Sequence, residues 1–179
     1  MLREQYIQKY TYTEYQHWED SWELINGYPY AMSPSPMPRH QVLGNKINYC
    51  FTQALLTNKQ TCKCDLLYGS DWVISNDTVV KPDIMIVCGE YDDNKPIQIS
   101  PFLIVEIFSP STRLKDRNTK FTLYEQQGVK YYLMADPEKK TLENFQLIDK
   151  KFQEQKSIEI FELDSSCKIE VSLATIFSA

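Results

Sequence analysis

The chain has 179 residues, a length that fits one globular domain and leaves little room for a second. Hydrophobic residues make up 42% and charged residues 24% of the chain, which excludes a disordered tail, a coiled coil and a collagen-like repeat. The formal net charge of −5 argues against a dedicated, high-affinity nucleic-acid binder, although an enzyme could still contact nucleic acid through a local basic patch.

The cellular location follows from what the sequence lacks. It shows neither an apolar run long enough to cross a bilayer nor the apolar stretch of a secretory signal, so we expect a cytoplasmic protein without membrane contact. The five cysteines are odd in number and irregularly spaced, and we expect all of them to be reduced, with Cys88 filling the core. Cys62 and Cys64 are too close together for one half of a typical zinc site.

The first third of the chain contains two predicted helices and a hairpin. Residues 11–19 have moderate helical character. Residues 21–32 hold two short apolar runs separated by Asn-Gly, a strong signal for a β-hairpin. Three prolines within 33–38 rule out regular structure there. After them, apolar residues recur at three- and four-residue spacing, which predicts an amphipathic helix over 38–57.

The middle of the chain is rich in predicted strands. We expect strands over 66–74, 79–88 and 102–108, and the continuous apolar runs in the last two indicate strands covered on both faces. A helix should follow, with Asp116 as its N-cap and Gly128 just beyond its last turn.

The last third of the chain completes the predicted sheet. Residues 129–135 form a strand, and 141–147 should pair with 157–163 as a polar-edged hairpin. No internal repeat or linker interrupts the pattern. The order of elements predicts one α/β domain over residues 1–179, with a central mixed β-sheet flanked by helices and extra N-terminal and C-terminal β-hairpins.

Two acidic residues stand out in the predicted core. Glu106 lies inside an otherwise apolar strand, where an unpaired carboxylate would cost several kcal/mol, so it must be neutralised, paired or bound to a cation. Asp83 follows Pro82 at the start of another apolar strand, and both carboxylates could converge at one sheet edge. Two hard oxygen ligands with no histidine nearby suit Mg²⁺. A salt bridge within the core is equally consistent with Glu106.

The predicted helix after this strand carries a row of polar side chains. Asp116, Lys120 and Tyr124 are spaced four residues apart and share one helix face. Lys120 could point back toward Glu106, or it could pair with Asp116 at the surface. The same stretch holds three further basic residues, a pattern typical of a solvated loop and helix start: Arg113, Lys115 and Arg117.

In their order and spacing, these motifs resemble the Uma-type restriction endonuclease family, which belongs to the PD-(D/E)XK nuclease superfamily. The matching motifs are WELING at 22–27, MSPSP at 32–36, KPD at 81–83, VEIFSPST at 105–112, the row of Asp116, Lys120 and Tyr124, GV at 128–129, YYL at 131–133 and DP at 136–137. The resemblance covers residues 12–147. It implies a restriction-endonuclease-like α/β core and a metal-dependent phosphodiesterase site.

The resemblance also implies roles for individual residues. Asp83 and Glu106 match the acids that bind Mg²⁺, for which Mn²⁺ can substitute, together with the backbone carbonyl of Ile107. Glu23 matches an N-terminal glutamate that joins the catalytic residues. The superfamily's usual lysine position holds Phe108, so the resemblance assigns the catalytic lysine to the following helix, at Lys120. Phosphate contacts fall to the basic stretch, at Arg113, Lys115 and Arg117.

Three hypotheses about function remain open. The first is a Mg²⁺-dependent DNA endonuclease, with a homodimer expected because double-strand cutting usually needs two sites. The second is a catalytically inactive nuclease-like module that binds nucleic acid or a protein partner. The third is an unrelated α/β protein whose buried acids are structural. Metal binding separates the first from the third, and DNA cleavage separates the first from the second.

Overall fold

The computed structural model describes residues 8–32, 37–109 and 112–177, so most of the predicted proline-rich stretch lies outside the described residues. In chain order the elements are α1 (Tyr12–Tyr15), β1 (Trp22–Ile25), β2 (Tyr28–Ala31), α2 (Pro38–Thr57), β3 (Cys64–Tyr68), β4 (Trp72–Ser75), β5 (Thr78–Val80), β6 (Ile84–Cys88), β7 (Leu103–Ile107), a π-helical segment (Lys115–Lys120), α3 (Phe121–Gln126), β8 (Tyr131–Asp136), β9 (Thr141–Ile148), β10 (Lys151–Gln155), β11 (Ile160–Glu162) and β12 (Lys168–Glu170). Within these ranges no helix is both long enough and apolar enough to cross a membrane.

A six-stranded mixed sheet forms the centre of the fold, in the order β10-β9-β8-β7-β6-β3. The pair β7–β8 is parallel, and the other neighbours in this sheet are antiparallel. Every residue of β7 and β8 is buried, as expected for apolar strands covered on both faces. Side chains alternate between the two faces, so Glu106 shares its face with Ile104 and Phe108.

A smaller antiparallel sheet, ordered β2-β1-β5-β4, packs beside the central one. The hairpin predicted from Asn-Gly forms its β1–β2 pair. The single strands predicted over 66–74 and 79–88 are wrong, because each divides between the two sheets. Gly69 turns the first with a φ of +61°, and Pro82, which has no N–H to donate, lies between β5 and β6. Residues 81–83 therefore cross from one sheet to the other.

The helices cover the two faces of the central sheet. Helix α2 begins and ends where the sequence predicts, and its buried stripe packs on one face together with the hairpin β11–β12. The core of the opposite face includes Tyr124 of α3. After α3, Gly128 has a φ of +77°, the left-handed conformation expected just beyond a helix.

The predicted N-cap of this last helix is wrong. Asp116 lies inside the π-helical segment, with only 1% of its surface exposed. The Phe121 N–H donates to the Asp116 carbonyl five residues earlier, and Tyr132 donates to the same carbonyl oxygen at 3.0 Å. The wider turn begins before the predicted N-cap, so Asp116 faces the interior rather than the helix end.

The predicted pairing of 141–147 with 157–163 is also wrong. Strand β9 pairs with β10, which the sequence analysis did not predict, through a tight turn at Asp149 and Lys150. Both turn residues have positive φ, 50° and 64°, as a two-residue hairpin of type I′ requires. Strand β11 pairs with β12 instead.

The expectation that all five cysteines are reduced is contradicted by two disulfides. Cys62 is bonded to Cys167, and Cys64 is bonded to Cys88 on the neighbouring strand. Cys88 is half-buried at a strand end and is not core filler. Cys50 alone keeps a free thiol. The spacing of the cysteines in the sequence does not indicate these pairs, because the two members of each pair are 105 and 24 residues apart and meet only in the folded chain.

Candidate active site

A cavity of about 320 Å³ opens where the crossing 81–83, the end of β7, the π-helical segment and the start of α2 meet. Its polar lining combines acids, lysines and one histidine. The acidic and basic residues that line it are His40, Asp83, Glu106, Lys115, Asp116 and Lys120. The structure therefore brings together residues from four separate stretches of the sequence.

The two predicted metal-binding acids lie side by side at the sheet edge. Oδ2 of Asp83 accepts the backbone N–H of Ile107 at 2.7 Å, and Oε2 of Glu106 lies 3.4 Å from the backbone nitrogen of Asp83. Each carboxylate therefore faces the backbone of the other strand. The Asp83 side chain is 23% exposed, whereas Glu106 is almost completely buried.

Lys120 lies at the centre of this group and is only 1% exposed. Its Nζ is 2.8 Å from Oε1 of Glu106 and 2.6 Å from Oε1 of Glu23. Asp116 is farther away, with 3.6 Å between Nζ and Oδ1. Because Lys120 is buried, a surface ion pair between Lys120 and Asp116 is excluded. Glu106 has the ion-pair partner that its burial requires, and this partner is Lys120.

Glu23 reaches the site from strand β1 and is fully buried. Its second oxygen contacts Nζ of Lys115, and its first also accepts the backbone N–H of Lys81 at 2.9 Å. The hydroxyl of Tyr124 donates to Glu106 at 2.8 Å. Glu23 of β1 therefore holds the ammonium groups of Lys115 and Lys120 in place, although both lysines lie more than 90 positions later in the chain.

The site holds four acids, Glu23, Asp83, Glu106 and Asp116, against three basic side chains, His40, Lys115 and Lys120. Burial raises the pKa of Glu106 to about 8, against the opposing effect of Lys120. Burial also raises the pKa of Asp116, whose Oδ1 lacks a hydrogen-bond partner. Excess buried carboxylate charge is what a divalent cation neutralises, so the donor set of Asp83, Glu106 and the Ile107 carbonyl fits such an ion.

The raised pKa of Glu106 leads to a prediction about stability without metal. A carboxyl group whose pKa is raised by folding contributes stability below its unfolded pKa, near 4.3, and loses it as the pH rises through about 8. In EDTA we expect the melting temperature to fall as the pH rises from about 5 to about 8, and to fall less in Glu106→Gln. Thermal melts of both proteins across this range provide the measurement. An equal decline in both would show that another group causes it.

His40 is the site residue that the sequence analysis missed, and the expectation of no histidine near the acids is wrong. Its Nε2 lies 3.2 Å from Oδ2 of Asp83, and the backbone of Ile107 also acts on the imidazole. Burial would lower the pKa of His40, but these contacts raise it overall. The signal was present in the helix pattern, because His40 lies on the same buried stripe as Leu43 and Ile47.

The three predicted phosphate contacts separate in the structure. Lys115 lines the cavity. Arg113 pairs with buried Asp136 at 2.8 Å, and Arg117 pairs with an acid of β9. Both guanidinium groups also lie over the ring of Phe108, at 4.8 and 5.3 Å from its centroid. Each of the three basic residues thus has a carboxylate partner within the chain.

A second group of candidate metal ligands lies elsewhere, formed by Cys64, Cys88 and Asp164. The two sulfurs are joined in a disulfide, so neither is a thiolate that could bind a metal. Oδ1 of Asp164 already accepts the backbone N–H groups of Ser166 and Cys167. This cluster therefore has a structural explanation.

Comparison with known proteins agrees with the fold and with the motifs. The family model described as "Uma2: Putative restriction endonuclease" matches residues 5–175, nearly the whole chain. The chain belongs to the Uma2 family. Its membership confirms the resemblance identified from the motifs and excludes the unrelated α/β protein of the third hypothesis.

Two individual relatives illustrate the range of this similarity. The crystal structure of a putative nuclease belonging to DUF820, from Anabaena variabilis, aligns with a TM-score of 0.72 at 16% identity, covering 94% of this chain and 97% of that one. It confirms the predicted restriction-endonuclease-like α/β fold. The uncharacterized protein slr1290 of Synechocystis sp. is 29% identical over 126 residues, which span 62% of this chain and 60% of that protein.

Proposed function

We propose that this Uma2-family protein is a Mg²⁺-dependent endonuclease that hydrolyses phosphodiester bonds in DNA. The family's description as a putative restriction endonuclease, and the description of the structural neighbour as a putative nuclease, support a nuclease. The observation that carries the proposal is the juxtaposition of Asp83, Glu106 and Lys120 in one cavity at the edge of the central sheet.

The proposed mechanism divides the work among these side chains. Asp83, Glu106 and the Ile107 carbonyl would hold the cation. Bound Mg²⁺, or Mn²⁺ in its place, supplies a Lewis acid that polarises a phosphoryl oxygen and lowers the pKa of a bound water. Burial lowers the pKa of Lys120, but Glu106, Glu23 and Asp116 together raise it well above its usual value. Lys120 therefore stays protonated and acts through its charge and its N–H groups, not as a base.

Substrate contacts are proposed for Arg113, Lys115 and Arg117. Lys115 lies inside the cavity, where a phosphate would compete with Glu23 for its ammonium group. The two arginines would likewise exchange a carboxylate partner for phosphate. Since each basic side chain gives up a carboxylate when it binds a phosphate, the net electrostatic gain is small and DNA binding should be weak. Binding should also decrease steeply with added salt.

The test of the proposed function is cleavage of plasmid DNA by the wild-type protein and by Asp83→Asn, with Mg²⁺ or Mn²⁺. An asparagine at this position still offers an oxygen to the Ile107 N–H, so the fold should persist while a charged ligand is lost. We expect cleavage to fall by on the order of 10²-fold or more. Asp65→Asn is the matched control, since Asp65 is exposed on β3 and contacts Tyr91. Equal cleavage by Asp83→Asn and wild type would contradict the assignment.

The alternative function is a catalytically inactive nuclease-like module that binds nucleic acid or a protein partner. It is favoured by the engagement of Lys120 with three carboxylates and by Phe108 at the usual lysine position. Wild-type protein that binds DNA but leaves it intact with either metal would support this alternative.

A further inference from the structure

His40 lies on helix α2 among the apolar side chains that face the sheet. It belongs to the same buried stripe as Leu43 and Ile47, and only 7% of its surface is exposed. Among the described residues, its Nδ1 is buried without a hydrogen-bond partner. Because a buried polar atom without a partner costs stability, a leucine would suit this position better if packing were its only role. The contact made by the other ring nitrogen therefore calls for a functional explanation.

The close approach of α2 to the central sheet brings the His40 imidazole to the candidate site. Gly44 lies one turn further along the helix, on the same side as His40. A Cβ atom on Gly44 would lie 2.9 Å from the Tyr68 hydroxyl and 3.1 Å from Cδ1 of Ile107. Because glycine lacks that atom, the helix can lie directly against the end of β7. Nε2 of His40 then lies 3.2 Å from Oδ2 of Asp83.

Two donors meet at a single oxygen of the Asp83 carboxylate. Oδ2 accepts the backbone N–H of Ile107 at 2.7 Å, and Nε2 of His40 lies within hydrogen-bonding distance of the same atom. In the part of the chain that the structure describes, no donor contacts Oδ1. A carboxylate oxygen has two lone pairs, so Oδ2 is fully engaged and Oδ1 is the oxygen left for a cation.

Glu106 shows the same division between its two oxygens. Oε1 accepts hydrogen bonds from Nζ of Lys120 and from the Tyr124 hydroxyl, both at 2.8 Å. Within the described ranges, Oε2 has only a long contact, 3.4 Å from the backbone nitrogen of Asp83. Each of the two acids therefore has one oxygen held by two donors and one oxygen that is held weakly or not at all. His40 thus has the place at Asp83 that Tyr124 has at Glu106.

We propose that His40 is a positioning residue, which orients the Asp83 carboxylate so that Oδ1 faces the cation. This role rests on the proposed function, because it requires the metal site of Asp83 and Glu106. The donor atoms of His40, Asp83 and Glu106 do not all lie within 4.8 Å of one another, so the imidazole acts through Asp83 and is not a third ligand. Asp83 needs such support, since it lies on the crossing 81–83, outside the strands, with 23% of its side chain exposed. A carboxylate that rotates freely loses that freedom when it binds a metal, and the loss lowers its affinity.

Titration of the full chain with Mn²⁺ alone, followed by the electron paramagnetic resonance signal of the free ion, tests this role without DNA. His40→Leu keeps an apolar side chain on the buried stripe but has no donor for Asp83, so its Mn²⁺ affinity should fall about 10–100-fold. His40→Gln places an amide N–H₂ group near the position of Nε2 and should recover most of the affinity. His17→Leu is the matched control, since His17 is exposed and outside the cavity, and it should bind Mn²⁺ as wild type does.

The order of the two His40 variants separates positioning from packing. A histidine that only fills space is replaced better by apolar leucine than by polar glutamine, whereas a donor to Asp83 is replaced better by glutamine. Thermal melts in EDTA show that each variant is folded before it is titrated. Asp83→Asn identifies the site that the titration measures, because loss of this charged ligand should remove most of the Mn²⁺ binding.

Three outcomes would overturn this role and leave the metal site intact. Equal affinity of His40→Leu and wild type would show that Asp83 needs no support from the imidazole. Tighter binding by His40→Leu would show that the imidazole competes with the cation for Asp83. Weakening by His40→Gln equal to or greater than that by His40→Leu would indicate packing. By contrast, a wild-type chain that binds no Mn²⁺, or binds it no better than Asp83→Asn does, would contradict both this role and the metal site on which the proposed function depends.

Discussion

Lys120→Met should lower the free energy of unfolding by about 3–5 kcal/mol, because it removes the cation from a buried ionic network. Lys120 is 1% exposed and lies within 3.6 Å of Glu23, Glu106 and Asp116. Without the ammonium group, these carboxylates keep the cost of burial but lose their main partner. Urea unfolding near neutral pH measures the loss.

Lys81→Met is the matched control for this substitution. Lys81 is partly exposed, its side chain being 29% accessible, and its Nζ lies 3.4 Å from Asp71. A partly exposed pair of this kind is worth under about 1 kcal/mol. Equal destabilisation by the two variants would show that the buried network contributes no more than a surface ion pair.

Under the proposed mechanism the same Lys120 variant should also lose activity, and this loss has to be measured apart from the effect on folding. At a temperature where the variant remains folded, we expect cleavage per folded molecule to fall by on the order of 10²-fold. Lys81→Met should cleave as wild type does. If Lys120→Met cleaves normally while Lys81→Met does not, the catalytic lysine would be Lys81, two residues before Asp83.

The elements that the sequence predicts well are those fixed by local patterns. Helix α2 follows from its 3.6-residue periodicity, and the β1–β2 hairpin follows from Asn26 and Gly27. The predicted strands over 66–74 and 79–88 run through the breaks at Gly69 and Pro82, because apolar residues continue on both sides of each break. Which sheet a strand joins depends on the strands it pairs with, and these are distant in the chain. The spacing of apolar residues within one segment does not identify such partners.

In the candidate site, too, some residues can be identified from the sequence and others only from the fold. Glu106 and Asp83 are detectable because an acid inside an apolar strand, or directly before one, is anomalous wherever the strand lies. The helix pattern places His40 on the buried stripe of α2, but it does not show that this end of the stripe meets Asp83. The contact of Glu23 with Lys115 joins residues 92 positions apart, so only the folded arrangement reveals it. Sequence thus identifies the unusual residues, and tertiary packing supplies their partners.

The disulfide between Cys62 and Cys167 should contribute more stability than the one between Cys64 and Cys88. The first joins residues separated by 105 positions and the second residues separated by 24. In the loop-entropy description a closed loop near 100 residues is worth about 4.7 kcal/mol, and one of this shorter length about 3.5 kcal/mol. The first bond also fastens the β11–β12 hairpin, whose Phe161 and Ile169 belong to the core on the α2 side of the sheet.

Urea unfolding of two double variants tests this order. Cys62→Ala with Cys167→Ala should lose more than Cys64→Ala with Cys88→Ala, and a reducing agent should destabilise wild type by more than either pair alone. Thiol counting by mass spectrometry under native, oxidising conditions should find one reactive group, Cys50, and reduction should raise the number to five. Five reactive thiols in the oxidised protein would show that neither bond forms. The result also bears on the predicted cytoplasmic location, because a reducing cytosol keeps thiols unpaired, and there the chain would have to fold without the stability of either bond.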